Sequence, residues 1–263
     1  MRNTSNATSR DGTRIAWDLV GDGPPLVLIE PAGHFRKLSA FEDLVPRLTA
    51  RFRVCQYDRR GRGESGDHRP YQVEREVEDL AALVDALGGS AFVYAYSSGA
   101  LLALHASARG VPLAGMVLLE PPLPAEFRED PDPLTGQLEA LVERGRHEDA
   151  VALFHESIGV PPEILESIRD TDRWSRMVEI AHTLAYDCRI SDAMQPHVLE
   201  SVRSPTLILS SVGSSNDLVS SVDSAINLVP GARHVALDGE WHSVDPVSVT
   251  NEIVAFITPL SRS

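Results

Sequence analysis

Short apolar runs alternate along this chain with longer stretches in which apolar residues recur every three or four positions. The first pattern suits strands buried on both faces, the second amphipathic helices. Leu26-Val27-Leu28-Ile29 follows Pro24-Pro25 as a continuous apolar run, and residues 52–57, 91–96 and 116–119 repeat the theme. Between them, Val77, Leu80, Ala81, Val84 and Leu87 predict a helix over 74–87, stopped by Gly88-Gly89. A helix rich in small residues is predicted over 99–108. Residues 14–20, behind the turn pair Asp11-Gly12, read as one arm of an N-terminal hairpin.

The rhythm breaks after Pro121-Pro122. From about 121 to 204 no clear strand is found, and helical patterns appear at 134–144, 148–157, 162–168 and 174–187. The strand–helix rhythm returns at 206–209, 222–228 and 235–237, before a last helix at 246–257. Such alternation predicts an α/β fold with a mostly parallel, doubly wound sheet, interrupted by a helical insertion. No internal repeat, low-complexity tract or long linker is visible.

Phe92-Val93-Tyr94-Ala95-Tyr96-Ser97-Ser98-Gly99-Ala100-Leu101 runs a strand into a helix through small–x–Ser–x–Gly. A nucleophile elbow has this form because its turn is sharp and strained, and small residues let strand and helix approach. Ser97 is preferred over Ser98 because it alone has small residues two positions away on both sides. A Ser-Ser helix cap is the plain alternative.

Three further segments join the elbow. They are Ile29-Glu30-Pro31-Ala32-Gly33-His34, Tyr57-Asp58-Arg59-Arg60-Gly61-Arg62-Gly63-Glu64-Ser65 and Leu237-Asp238-Gly239-Glu240-Trp241-His242. In this order they resemble the oxyanion loop, the D-x-R-G-x-G-x-S loop and the catalytic-histidine loop of the α/β-hydrolase superfamily. The resemblance spans almost the whole chain. It implies an α/β-hydrolase core of residues 1–120 and 205–263 under a helical cap of 121–204. It also implies that Ser97 is the nucleophile, that His242 is its base, and that the Ala32 and Ser98 N–H groups are the oxyanion donors. Pro31 stands where the family often has glycine, but the donor would be the residue after it. His234 is read as structural and His34 as a possible substrate contact.

The acid departs from the usual pattern. By resemblance its position falls near Ser214, which cannot carry the charge that orients an imidazole. Two carboxylates are candidates. Glu120 ends the run 116–119, where some haloalkane dehalogenases and fungal-lactone hydrolases of the superfamily carry their acid; the latter also have a similar Ser-Ser-Gly-Ala elbow. Asp217 lies three residues past the usual position. Glu120 is preferred and Asp217 is the alternative.

Composition narrows the partners. The 263 residues are 43% hydrophobic and 24% charged, with a formal charge of −14. That average field repels nucleic acid. The basic cluster Arg59-Arg60-Gly61-Arg62 is expected to be an ordinary charged loop. Trp174, Tyr186 and Phe154 are expected mostly to pack, with one or two lining an apolar pocket. The polar start, the lack of a long apolar run, and Cys55 and Cys188 far apart imply a cytoplasmic protein with reduced core thiols and no membrane span. No metal or cofactor motif is present, and a small-molecule substrate is expected. The resemblance implies an ester or lactone hydrolase acting on a small, largely apolar molecule. A carbon–carbon bond hydrolase, or a non-hydrolytic use of the fold as a cyclase or small-ligand receptor, is the alternative. The substrate and the oligomeric state are not written in the sequence.

Overall fold

The computed structural model describes residues 4–124, 126–127, 130–240 and 242–261. Trp241, part of the histidine segment above, lies outside them. Among the described residues nine strands make one sheet: β1 (Ser5–Thr8), β2 (Arg14–Val20), β3 (Pro25–Ile29), β4 (Arg53–Tyr57), β5 (Ala91–Tyr96), β6 (Leu113–Leu119), β7 (Thr206–Gly213), β8 (Arg233–Glu240) and β9 (Ser243–Val244). Their order is β1-β2-β4-β3-β5-β6-β7-β8-β9. Contacts from β4 through β3, β5, β6 and β7 to β8 are parallel, and β1–β2, β2–β4 and β8–β9 are antiparallel.

Side chains along a strand alternate between faces, so each apolar run feeds two cores. Val27, Ile29, Val93 and Ala95 enter one core. It is covered by α2 (Val73–Ala86) and α3 (Ser98–Ala108). Leu26, Leu28, Phe92 and Tyr94 enter the other, where α1 (Val45–Leu48) packs. The first core also receives α10 (Asn216–Leu228), the second α11 (Pro246–Leu260). Helix α3 is buried from Ser98 to Ser107, which explains its small, apolar residues on every side.

Among the described residues six α-helices lie between β6 and β7: α4 (Pro133–Glu143), α5 (His147–Ser157), α6 (Pro162–Ile168), α7 (Asp172–Glu179), α8 (Leu184–Asp192) and α9 (Pro196–Glu200). They hold a third apolar cluster, with Leu138, Phe154, Trp174, Met177 and Leu184, and Ala32 and Leu38 from the chain after β3 pack against it. The single helix expected over 174–187 is broken. Both the N–H and the hydroxyl of Thr183 donate to Ile180 O, at 2.9 and 2.8 Å, and Ala181–Thr183 tightens into a 3₁₀ turn. Helix α8 starts afresh after it. Phe154 and Trp174 pack as expected, and Tyr186 stacks on Tyr71 with centroids 4.0 Å apart. Cys55 and Cys188 are free thiols. Cys55 is buried, whereas Cys188 is only half-buried, short of the core position expected for it. Among the described residues no helix is long and apolar enough to cross a membrane.

One core histidine gives the fold a pH signature. His105 on α3 is fully buried, and its Nε2–H donates to Ile190 O at 3.0 Å while Nδ1 accepts from Arg109 at 2.9 Å. Burial holds its pKa down at about 4. A histidine held neutral stabilises the fold fully above its free value near 6.5 and loses that contribution as pH falls toward the folded value. His105→Gln removes the titration. The stability gap between wild type and variant is therefore expected to narrow by about 3 kcal/mol from pH 7 to pH 4. Urea midpoints at a series of pH values read it. A gap that does not change with pH would show that His105 is not held neutral.

Candidate active site

The strands β5, β6 and β8 end at the same edge of the sheet. Ser97 N–H donates to Leu119 O at 3.0 Å and Glu120 N–H to Leu209 O at 2.9 Å, so the parallel ladder runs one residue past β5 and β6. Among the described residues, three that are not glycine have positive φ: Ser97 at 53°, Glu120 at 44° and His242 at 60°. Such conformations cost about 1–3 kcal/mol each and persist where the surroundings enforce them. Gly99 is part of that enforcement. A Cβ there would lie 2.5 Å from Ile29 O and 2.8 Å from Glu30 O, so α3 starts hard against the end of β3.

Glu120 is fully buried, and its Oε2 lies 2.5 Å from His242 Nδ1. Its Oε1 accepts from Ser211 N–H at 2.7 Å and from the Ser214 hydroxyl. Burial pushes the Glu120 carboxyl up. The hydrogen bonds from His242, Ser214 and Ser211 outweigh it and hold the group below the usual carboxylate range. The His242 ring packs on Tyr96, centroids 4.7 Å apart, and the Tyr96 hydroxyl donates to His242 O. The imidazole is thus anchored against the residue immediately before Ser97. Ser214, where the resemblance put the acid, supplies a hydroxyl to Glu120 instead. Asp217 is exposed in the first turn of α10, whose cap is Ser215, and does not join this cluster. His234 lies within β8 on Ser210, 2.9 Å away, outside the cluster too.

The end of β3 brings up a second layer. Ala32 and Ser98 flank the close contact made at Gly99. Among the described residues no protein acceptor takes the N–H of either. His34 donates from Nδ1 to Ala32 O at 2.8 Å and faces Arg173 at 3.4 Å. Burial lowers its pKa to about 4, so its ring is neutral at pH 7.

The basic cluster is not the solvated loop its sequence suggested. Arg59, Arg60 and Arg62 are each 1% exposed. Arg59 pairs with Glu76 at 2.6 Å and Asp187 at 2.7 Å, Arg60 with Asp79 at 2.7 Å and Asp11 at 3.1 Å, and Arg62 with Asp187 at 2.6 Å. Each buried charge has a carboxylate on it, which is what burial of a guanidinium demands. The partners come from α2, the N-terminal turn and α8. An excess of acidic residues hinted that partners existed, but pairing across 125 residues, as for Arg62 and Asp187, leaves no local signal. Tyr96 likewise stood beside the elbow without any sign that it meets a ring 146 residues on.

A groove of about 520 Å³ opens between α7 and this loop, lined by Phe35, Lys37, Gly61, Asp172 and Arg176 among others. Ser97, Glu120 and His242 are not among its walls.

Residues 19–251 match the alpha/beta hydrolase family. An alpha/beta hydrolase of known structure from Sphaerobacter thermophilus is 39% identical, with a TM-score of 0.87, over 97% of this chain and 100% of that one. Two others share the fold at 22% identity. A thermophilic esterase from Thermogutta terrifontis has a TM-score of 0.77, covering 98% of this chain and 99% of that one. The enol-lactonase from Burkholderia xenovorans has a TM-score of 0.75, covering 97% and 100%. Among curated proteins none matches. The ladder of parallel strands, the elbow at its centre and the match along most of the chain agree: this chain belongs to the alpha/beta hydrolase family.

Proposed function

We propose that this protein is a serine hydrolase that cleaves an ester or lactone of a small, largely apolar molecule through an acyl-enzyme on Ser97. One observation carries the reading. The three strained residues Ser97, Glu120 and His242 are those a nucleophile–base–acid set requires, and two of them are in contact. A serine hydroxyl is a poor nucleophile until a neutral imidazole takes its proton. Glu120 fixes His242 with the proton on Nδ1, so Nε2 is the nitrogen that accepts. As Ser97 Oγ bonds to the substrate carbonyl carbon, its proton passes to Nε2 and the carbonyl electrons move onto oxygen. The Ala32 and Ser98 N–H groups receive that oxyanion. The carbon–oxygen bond then breaks, His242 protonates the leaving alkoxide, and water releases the acid by the reverse roles. The apolar cluster of the helical segment, packed against Ala32, supports an apolar acyl or alcohol group and a covering role for that segment.

A fluorophosphonate probe tests this directly. Wild-type protein is expected to gain one covalent adduct, mapped to Ser97 by peptide mass, and Ser97→Ala to gain none. A folded wild type that takes up no probe, or takes it up elsewhere, would sink the reading.

A further inference from the structure

We propose that Asp187 and Arg62 form a positioning relay by which the helical segment aims the Ala32 N–H at the oxyanion. The inference rests on the serine-hydrolase reading above. It starts from a property of the peptide bond. The Pro31–Ala32 peptide is planar and trans, so its N–H points opposite to its carbonyl. Whatever holds Pro31 O therefore sets the direction of the Ala32 N–H. Arg62 Nη1 holds it, at 2.7 Å, and reaches His34 O at 3.0 Å. The two carbonyls bracket Gly33, whose φ of 69° lets the loop turn back on itself. A charged donor on a peptide oxygen also polarises the peptide and strengthens its N–H as a donor.

Arg62 is itself held. Its Nη2 lies 2.6 Å from Asp187 Oδ2. The other oxygen of Asp187 accepts from the Ser98 hydroxyl at 2.8 Å and from Arg59 Nη1 at 2.7 Å. Arg59 Nη1 in turn reaches Glu30 O at 3.3 Å. Burial pushes the Asp187 carboxyl up, and Arg62 and Arg59 more than reverse that, so it stays ionised. One carboxylate on α8 thus ties the loop bearing one donor to the residue bearing the other. The planar fork of arginine bridges Asp187 and Pro31 O at once, and a lysine ammonium has no such fork. Asp187 and Arg62 are both buried and act through Ala32 and Ser98.

The experiment compares wild type with Arg62→Lys and Asp187→Asn on p-nitrophenyl acetate and with a trifluoromethyl ketone. The ketone forms a hemiketal with Ser97 and so reports the oxyanion site apart from turnover. In each variant kcat is expected to fall about 100-fold, the ketone Ki to rise by a like factor, and KM to move less than about 3-fold. Circular dichroism checks folding. Should Asp187→Asn not fold, Ser98→Ala removes only the hydroxyl on Asp187 and keeps the backbone donor, and it is expected to lower kcat and weaken the ketone about 10-fold. Folded variants with wild-type kcat, or with kcat lost and Ki unmoved, overturn the relay. A wild type that is labelled by fluorophosphonate while the variants keep full rate overturns the relay alone. An unlabelled wild type overturns the hydrolase reading, and the relay falls with it.

Discussion

Glu120→Gln is expected to lower kcat on an aryl ester about 10⁴-fold while KM stays near its wild-type value. The carboxylate now accepts from His242 Nδ1 and holds the imidazole in one tautomer. A glutamine amide can turn its NH₂ toward that nitrogen, which places the proton on the wrong side of the ring. The negative charge that steadies the imidazolium is lost as well. Because hydrogen bonds from three partners keep the Glu120 carboxyl ionised below its ordinary range, the fall is expected across the whole neutral pH range rather than at one end. Asp217→Asn is expected to leave turnover unchanged, since that side chain is exposed on α10. Steady-state kinetics of both variants, with circular dichroism to confirm folding, make the comparison. A silent Glu120→Gln beside an inactive Asp217→Asn would reverse the assignment.

Removing the proposed nucleophile should cost still more. Ser97→Ala and Ser97→Gly are each expected to lower kcat by about 10⁶, the loss seen when the serine of such a set is deleted. Their stabilities should diverge. Alanine at this position keeps the side-chain crowding of a φ near 53°, whereas glycine adopts that conformation freely. Ser97→Gly is therefore expected to be more stable than Ser97→Ala by about 1 kcal/mol, read from urea unfolding. This reverses the usual ranking, in which glycine loses to alanine through the entropy of the unfolded chain. Equal stabilities, or a more stable alanine variant, would show that the elbow is not strained.

The elements that local pattern encodes were readable in advance. The continuous apolar run of β3 and the alternating core residues of β5 say how each strand is buried, and the helical spacing over 74–87 differs from the observed α2 by one residue at each end. Ser97 was marked by the small residues its turn needs. What stayed hidden depends on distant partners. Which of Glu120 and Asp217 faces His242 is decided by the direction of the chain after β7, and no spacing encodes it. The cluster Arg59, Arg60 and Arg62 read as surface charge because its counter-charges sit on α2, α8 and the N-terminal turn. The break at Ile180 was missed because Thr183 is a tolerable helix residue until its hydroxyl bonds back to the preceding turn.

The rims of the sheet have a consequence for how copies of this chain can meet. An unpaired strand flank is a ready template for a foreign strand, and its reach grows with its length. Here one rim is the four-residue β1, whereas at the other the two-residue β9 pairs only with Gly239 and Glu240 and leaves the outer flank of β8 uncovered by a strand over Arg233–Asp238. The short β1 offers few free amides and carbonyls, so the flank of β8 is the rim with the greater reach. What opposes strand addition there is charge, since Arg233 and Asp238 stand exposed on that flank.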